Sequence, residues 1–519
     1  MGCEQEYINI FDRHRELIDE PCASILNEER AKAIIRFKAT GFPDRKDEDW
    51  LHTDVAKKFA TDYGMNLGRV ATAIHGTFTC DVPNLNTYHA YIINDSFQAG
   101  ENKGKQLPQG VMLGSINDIA ADSRDLLGPY YNRLATNGDS IVQFNTAFTQ
   151  DCLVLHIPRN TVVKDTIQIV TLLQANVDMM SNRRLLIILE ENSRASLLLC
   201  DHSSLQKQTL STQVTEIFVG RGASLDLYEI EETSDSNTRL GQLFVRQEQD
   251  SRFRHSNITL TNGFTRNRVE VSLEGEGAET HINGLAIGDK EQHIDNRTLV
   301  DHKVPRCTSN ELYKYILDEQ STGVFAGKML IRPDAQHSVS EQTNRNLCLT
   351  SCAHMYAQPQ LEIYADDVKC SHGSTVGQLD GNALFYMQQR GIPAEEARHL
   401  LMYAFAGEVI DNIQILAHLI CTDRCIAHHY YLLTASVWHV YGSVHTVLEL
   451  VVGVIDNESY LERTGREVDI GSNIVDATGI FVRQLLGKRE LDSIVSERSF
   501  AVFEVFAVYF GDFLCNYNF

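Results

Sequence analysis

The sequence predicts a mainly β chain flanked by helical segments, and three observations carry that reading. From about Ile141 onward, short runs rich in β-branched and aromatic residues recur every 10–20 residues. Cys152–Ile157, Ile167–Leu173, Val214–Val219, Phe253–Leu260 and Gly323–Ile331 are examples. Gly, Asn, Asp and Ser separate these runs, and no strong helical pattern interrupts them over roughly 240 residues. A small polar turn followed by an alternating strand also repeats, as in Gly222-Ala223-Ser224-Leu225-Asp226-Leu227 and Gly275-Glu276-Gly277-Ala278-Glu279-Thr280-His281-Ile282. The spacing fits a sandwich, a barrel or a β-helix, and the repeated phrase favours the β-helix. Each rung of a β-helix needs a neighbour above and below, so both ends need capping.

The flanks read differently. Residues 1–140 are expected to form a mostly helical domain, with helical spacing through Ile8–Leu17 and Ile25–Phe37 and a break at Gly41-Phe42-Pro43. A polar segment, 43–53, contains Trp50, one of two tryptophans. Residues 68–98 are richer in β-branched and aromatic types, and a helical stretch follows near Ile116–Leu134. The β core is assigned to 141–380 and a C-terminal helical segment to 381–413. Asp380–Gln389 ends at Gly391, a favoured residue just past a helix. Pro393 then opens a second helix with Glu395 and Glu396 in its first turn. Ala397, Leu401, Phe405, Val409 and Ile413 repeat every four residues, widened by Leu400 and Ala404, as a core stripe or a docking face.

From 414 to 519 the character shifts again. No proline follows Pro393, and beyond Lys369 the only lysine is Lys488. Tyr430–Ile455 approaches membrane-spanning length, but His439, His445 and Glu449 lie within it, and Gly442 and Gly453 interrupt it. It reads as buried or poorly folded rather than transmembrane. Cys421, Cys425, His428 and His429 have the residue types of a metal site without a supporting context.

Charge and cysteine usage narrow the function classes. With 69 acidic against 46 basic residues, the net charge of −23 opposes binding to phosphate backbones and anionic lipid, and no dense basic run reverses it. Neither nucleic acid nor membrane is an expected partner. Twelve cysteines are too sparse for a disulfide scaffold. Cys348/Cys352 and Cys421/Cys425 are closer pairs, but no zinc knuckle repeats. The start, Met1-Gly2-Cys3-Glu4-Gln5-Glu6, lacks a basic region and an apolar run, and Glu6 breaks the myristoylation pattern. A reducing cytoplasm with free thiols is expected.

The most informative stretch is Asp366-Asp367-Val368-Lys369-Cys370-Ser371-His372-Gly373. In an extended segment Cys370 and His372 share one face, Lys369 and Ser371 the other. Sulfur beside imidazole suits iron–sulfur or zinc chemistry, or sulfur handling. A packed thiol next to a satisfied histidine is the ordinary alternative.

The whole segment from Gln342 to Phe405 resembles the SufB/SufD family of iron–sulfur cluster assembly proteins, its SufD-type members more than its SufB-type ones. Gln342-Thr343-Asn344-Arg345-Asn346-Leu347 and Pro359 through Gly373 carry the likeness. Val376-Gly377-Gln378-Leu379-Asp380, Leu384-Phe385-Tyr386 and Arg390-Gly391-Ile392 continue it. Weaker similarity runs through Gly323–Lys328, Asn145–Phe148 and the Asp47–Thr53 segment, so that about residues 40–413 are covered. The resemblance implies a right-handed parallel β-helix flanked by helical domains, and a scaffold subunit rather than an enzyme. It implies pairing with a SufB-like subunit across the two β-helices and docking of a SufC-like ATPase on the C-terminal helices. Leu400, Leu401, Ala404, Phe405 and Glu408 are then the expected docking residues. It places His372 at the subunit interface, a metal ligand shared with the partner, with Cys370 as its same-face neighbour. The cargo is a transient iron–sulfur cluster or iron, with no intrinsic cofactor.

Two other functions fit a β-helix, a carbohydrate-active enzyme and a SufB-like sulfur acceptor. The thiols and the absence of a recognisable leader disfavour the first, and the Lys369–Gly373 block the second. Gly100–Lys105 and Gly323–Lys328 look like phosphate loops, but each has three residues between glycines and no Ser or Thr after its lysine. The chain also departs from the family. Family members typically end soon after the Leu400–Ile413 helix, whereas about 105 unmatched residues follow here, as a fusion joint or altered frame near Gln414 would produce.

Overall fold

The computed structural model describes residues 3–413, apart from 70–79, 81–84, 103, 175–176 and 204–206. The 414–519 segment, with its Cys421–His429 group and the Tyr430–Ile455 run, lies outside the described residues.

Successive strands alternate between two facing sheets, so each is bonded to strands about one coil away rather than to its sequence neighbour. The first sheet stacks Leu153–Ile157, Met179–Leu189, Thr209–Val219, Asn237–Gln247, Phe264–Leu273, His293–His302, Thr322–Ile331 and His354–Ile363, all parallel. The second stacks Thr166–Leu173, Arg194–Ser203, Ser224–Glu232, Arg252–Thr261, Glu279–Gly288, Thr308–Leu317, Val339–Cys348 and Lys369–Gly377. The result is a parallel β-solenoid of about 7 turns.

The repeated polar turn is the corner of each coil. Asn160, Asn192, Gly222, Asp250, Gly277, Arg306 and His337 all have φ between 54° and 75°. The amides of Asn160, Asn192, Gly222 and Asp250 each donate to a carbonyl of the next coil, those of Glu191, Arg221, Gln249 and Glu276. Asn and Asp tolerate this left-handed conformation and Gly adopts it freely. At Gly222 a Cβ would also meet Asn192 Oδ1 at 2.5 Å, so the corner demands glycine there.

Between the sheets lies the core. Leu185, Ile187, Leu197, Leu225, Leu227, Phe253 and Phe325 fill it from both sides. Polar groups are also buried there, many of them held by partners in neighbouring coils. Asp201 bridges Arg183 and Arg239 at 2.8 Å each. Burial pushes its carboxyl up, but Arg183 and then Arg239 outweigh that and hold it at about 2. Asn267 donates to Asn296, which donates to the Tyr315 hydroxyl, which donates to the Val324 carbonyl. Towards the last coil Ser309 donates to Ser340, and Gln342 Nε2 donates to Glu311 at 2.7 Å.

The helices Cys3–Arg13, Arg15–Asp19, Ser24–Thr40 and Ser140–Phe148 build a separate aromatic core from Tyr7, Phe11, Phe37, Phe42, Phe59, Phe144 and Phe148. Asp139 caps the last of these, accepting from the Ile141 and Val142 amides. That helix is pinned to the solenoid by Asn145, which donates to the Arg183 carbonyl, and by buried Arg184, which donates to the Thr146 hydroxyl at 2.8 Å while paired with Glu216. Trp50 lies under the Arg266 guanidinium, 3.6 Å from its ring centroid.

Two local expectations shift. The solenoid begins upstream of Ile141, because Thr87–Ile93 pairs in parallel with Thr166–Leu173 and Ser96–Ala99 folds back antiparallel beside it. The helix starting at Ile116 stops at Leu127, where Gly128-Pro129 breaks it, rather than continuing to Leu134.

The C-terminal helix Ala394–Ile410 buries Ala397, Met402, Ala406 and Val409, with Ile413 beyond it, against Leu285, Ile287, Leu312 and Ile316. Spacings of five, four, three and four follow the 3.6-residue turn; of the expected four-residue stripe Ala397, Val409 and Ile413 are buried, while Leu401 and Phe405 drift to the edge of the face. Leu400 and Ala404 therefore point outward, and Leu401 and Phe405 border the contact.

Burial raises the Glu311 carboxyl to about 7, against 4.5 when unburied. The folded chain then holds a proton that the unfolded chain has lost, so this group's contribution to stability falls as pH rises from about 4.5 to 7. Glu311→Gln does not titrate. Its melting temperature relative to wild type is expected to climb across that window and level off above it; a pH-independent difference contradicts the assignment.

Candidate functional site

The last strand, Lys369–Gly377, stacks on Val339–Cys348 with Cys370 opposite Ser340 and His372 opposite Gln342. Ser340 and Gln342 are buried and point between the sheets, so Cys370 and His372 sit on that inward face, one coil further out. No coil covers them among the described residues. His372 is exposed. Cys370 is half-buried against Ile331, Ala335, Ala365 and Val368, and that burial pushes its thiol up, partly offset by a backbone hydrogen bond at Ser340.

Both strands of this last coil are edges. Among the described residues Lys369–Gly377 bonds only to Val339–Cys348, and His354–Ile363 only to Thr322–Ile331. Pro359, which lacks a donor, is tolerated at such an edge. Ile363, Tyr364 and Val376 are exposed beside it.

The helix Gly381–Gln389 has no buried residue; Asp380 caps it by accepting from the Asn382 amide, and Phe385 and Tyr386 are 61% and 59% exposed. On the next helix Leu400 and Tyr403 are exposed at 45% and 49%. Glu408 ties that helix to the solenoid, 2.5 Å from Lys314 Nζ and 2.7 Å from Arg345 Nη1. The hydrogen bond from Lys314 holds the Glu408 carboxyl below the usual range, partly opposed by burial. Lys314 is itself buried; it donates to the Phe405 carbonyl and lies 4.5 Å from the Phe405 ring centroid.

The Gly323–Lys328 run lies inside the strand Thr322–Ile331, not before a helix. Its glycines make room for side chains, since a Cβ on Gly327 would come 2.3 Å from Gln342 Nε2.

A second sulfur–imidazole group involves residues not singled out from the sequence, since Cys80 and Cys200 belong to no close cysteine pair. His202 Nε2 is 3.1 Å from Cys80 Sγ, and Cys200 joins them. A hydrogen bond with Cys200 holds the Cys80 thiol down, at about 5, with His202 adding to it against the opposing effect of burial. A signal was available: Cys200-Asp201-His202 repeats the spacing of Cys370-Ser371-His372.

Residues 171–405 match the SUF system FeS cluster assembly SufBD core domain, and residues 1–169 match the SufBD protein N-terminal region. An iron–sulfur cluster assembly SufBD family protein of Synechocystis is 29% identical over 401 residues, 76% of this chain and 88% of that protein. The iron–sulfur cluster assembly protein SufD of Escherichia coli is 37% identical over 167 residues, 32% of this chain and 39% of that one. SufD of Bacillus subtilis is 24% identical over 330 residues, 63% of this chain and 75% of that one. With the solenoid, its flanking helices and these adjoining matches in agreement, the chain belongs to the SufB/SufD family of iron–sulfur cluster assembly proteins.

Proposed function

We propose that this chain is the SufD-type scaffold subunit of a three-component assembly with a SufB-type subunit and a SufC-type ATPase. The observation that carries the reading is an exposed imidazole, His372, on the inward face of an unpaired last coil. A partner β-solenoid adding its own strands to the free edges would satisfy their backbone groups and cover that face. His372 then meets a partner thiolate, and the two together hold iron or a nascent cluster as cargo. Neutral imidazole and thiolate are the ligating forms.

Cys370 has a subordinate place. A half-buried thiol pushed up by its surroundings is a poor nucleophile in the free chain, which supports SufD-type pairing over sulfur acceptance at this position. The ATPase docks on the outward face of the C-terminal helix, through Leu400 and Ala404 with Leu401 and Phe405 at its margin. Glu408 holds that helix in place from the solenoid side. The assembly works in the reducing cytoplasm, in keeping with free thiols at every described cysteine. Among the described residues no helix is long and apolar enough to cross a membrane.

His372→Ala is expected to shift stability by less than about 0.5 kcal/mol, as for an exposed residue. It should leave copurification with the SufB-type subunit intact while abolishing cluster maturation in cells. Normal maturation in that variant contradicts a direct role for the imidazole. Leu400→Asp combined with Ala404→Asp should release the ATPase but retain the SufB-type subunit; unchanged ATPase copurification would remove this helix from the docking face.

A further inference from the structure

Away from the last coil, three ligand-bearing side chains converge on the outer face of the second sheet. Cys200 and His202 lie two residues apart on Arg194–Ser203 and so project from one face. Leu198, two residues earlier, packs with Tyr228 and Ile258 in an apolar cluster separate from the one between the sheets, which fixes the direction of that face. Cys80 arrives from the segment ahead of Thr87–Ile93. The sulfurs of Cys80 and Cys200 and a ring nitrogen of His202 all lie within 4.8 Å of one another.

Gln168 supplies an independent sign. Its side chain is fully buried, and its Nε2 stands 3.3 Å from Cys80 Sγ and 3.7 Å from Cys200 Sγ while donating to the Cys80 carbonyl. The Oε1 of the same amide is buried without a hydrogen-bond partner. Glu232 places a carboxylate oxygen 3.7 Å from His202 Nδ1, a negative charge beside the ring nitrogen that does not face Cys80.

Tetrahedral zinc bonds of about 2.3 Å to sulfur and 2.0 Å to nitrogen require S···S near ~3.8 Å and S···N near ~3.6 Å. The present separations, 3.1 Å from His202 Nε2 to Cys80 Sγ and no more than 4.8 Å for the other pairs, are of that order. We propose that Cys80, Cys200 and His202 form a site for a thiophilic divalent ion of the zinc(II) class, with water in the fourth position. Two sulfurs and one imidazole select a soft or borderline ion over magnesium or calcium. The ion ties the segment leading into the first coil to a strand more than a hundred residues later. It is distinct from the cargo at the last coil and does not depend on that reading.

Cobalt(II) is the probe, added to the reduced, metal-stripped full chain and followed by its thiolate-to-cobalt charge-transfer band. Wild type should bind it with that band, and zinc(II) should displace it. Removing one direct ligand should weaken this binding by more than about 100-fold, since loss of a mere supporting partner costs 10–100-fold. Cys80→Ser, Cys200→Ser and His202→Gln should each therefore lose one equivalent, with circular dichroism reporting retained fold. Cys370→Ser and His372→Ala should keep it. Zinc(II) should raise the melting temperature of wild type but not of Cys80→Ser. Should Cys200→Ser misfold, His202→Gln decides alone. Unchanged cobalt stoichiometry in the folded variants, or no thiolate band in wild type, overturns the site.

Discussion

A parallel strand in a solenoid finds its hydrogen-bond partners only in the coils before and after it, and everything else in this protein follows from that. The corner column of left-handed residues from Asn160 to His337 keeps successive coils in register so that the ladders remain continuous. The same rule makes the two ends of the stack the only places where the ladders run out. At the first end the chain provides its own cover, by the antiparallel strands Ser96–Ala99 and Met112–Ser115. At the other end, among the described residues, the ladders stop at His354–Ile363 and Lys369–Gly377. That asymmetry leaves one end of the stack open to added strands among the described residues.

The interior explains why the exposed end can carry chemistry. Buried arginine, aspartate, glutamate and asparagine stack between the sheets with partners in adjacent coils, so polar groups on the inward face are built into this fold rather than exceptional in it. Ser340 and Gln342 continue the series, and His372 is its next member with the covering coil removed. Lys314 serves a parallel purpose on the outside. A buried cation needs a counter-charge, and Glu408 supplies it from the C-terminal helix, so helix and solenoid are joined by a pair that neither can forgo cheaply.

Much of this was legible in the sequence because strand periodicity and turn chemistry are local. Gly222-Ala223-Ser224 announced a corner, and the Cys370–His372 spacing announced a shared face. What was missed depends on distant residues. Thr87–Ile93 acquires its place only by pairing with Thr166–Leu173, far along the chain. Reading a four-residue stripe on Ala394–Ile410 chose Leu401 and Phe405 over Met402 and Ala406, since a strict four-residue repeat drifts by about 40° at each step around the helix. Cys80 gave no sign of meeting Cys200 and His202, because a site assembled across 120 residues leaves no spacing to read.

In the proposed assembly the last coil is an unfinished ladder that a second subunit completes. Amide hydrogen exchange along Lys369–Gly377 and His354–Ile363 tests it, measured on the chain alone and with a SufB-type partner. In an edge strand, alternate amides face the open side. Those amides should exchange fast in the free chain and become protected on pairing, while their neighbours change little. Equal exchange in the two states would contradict the account.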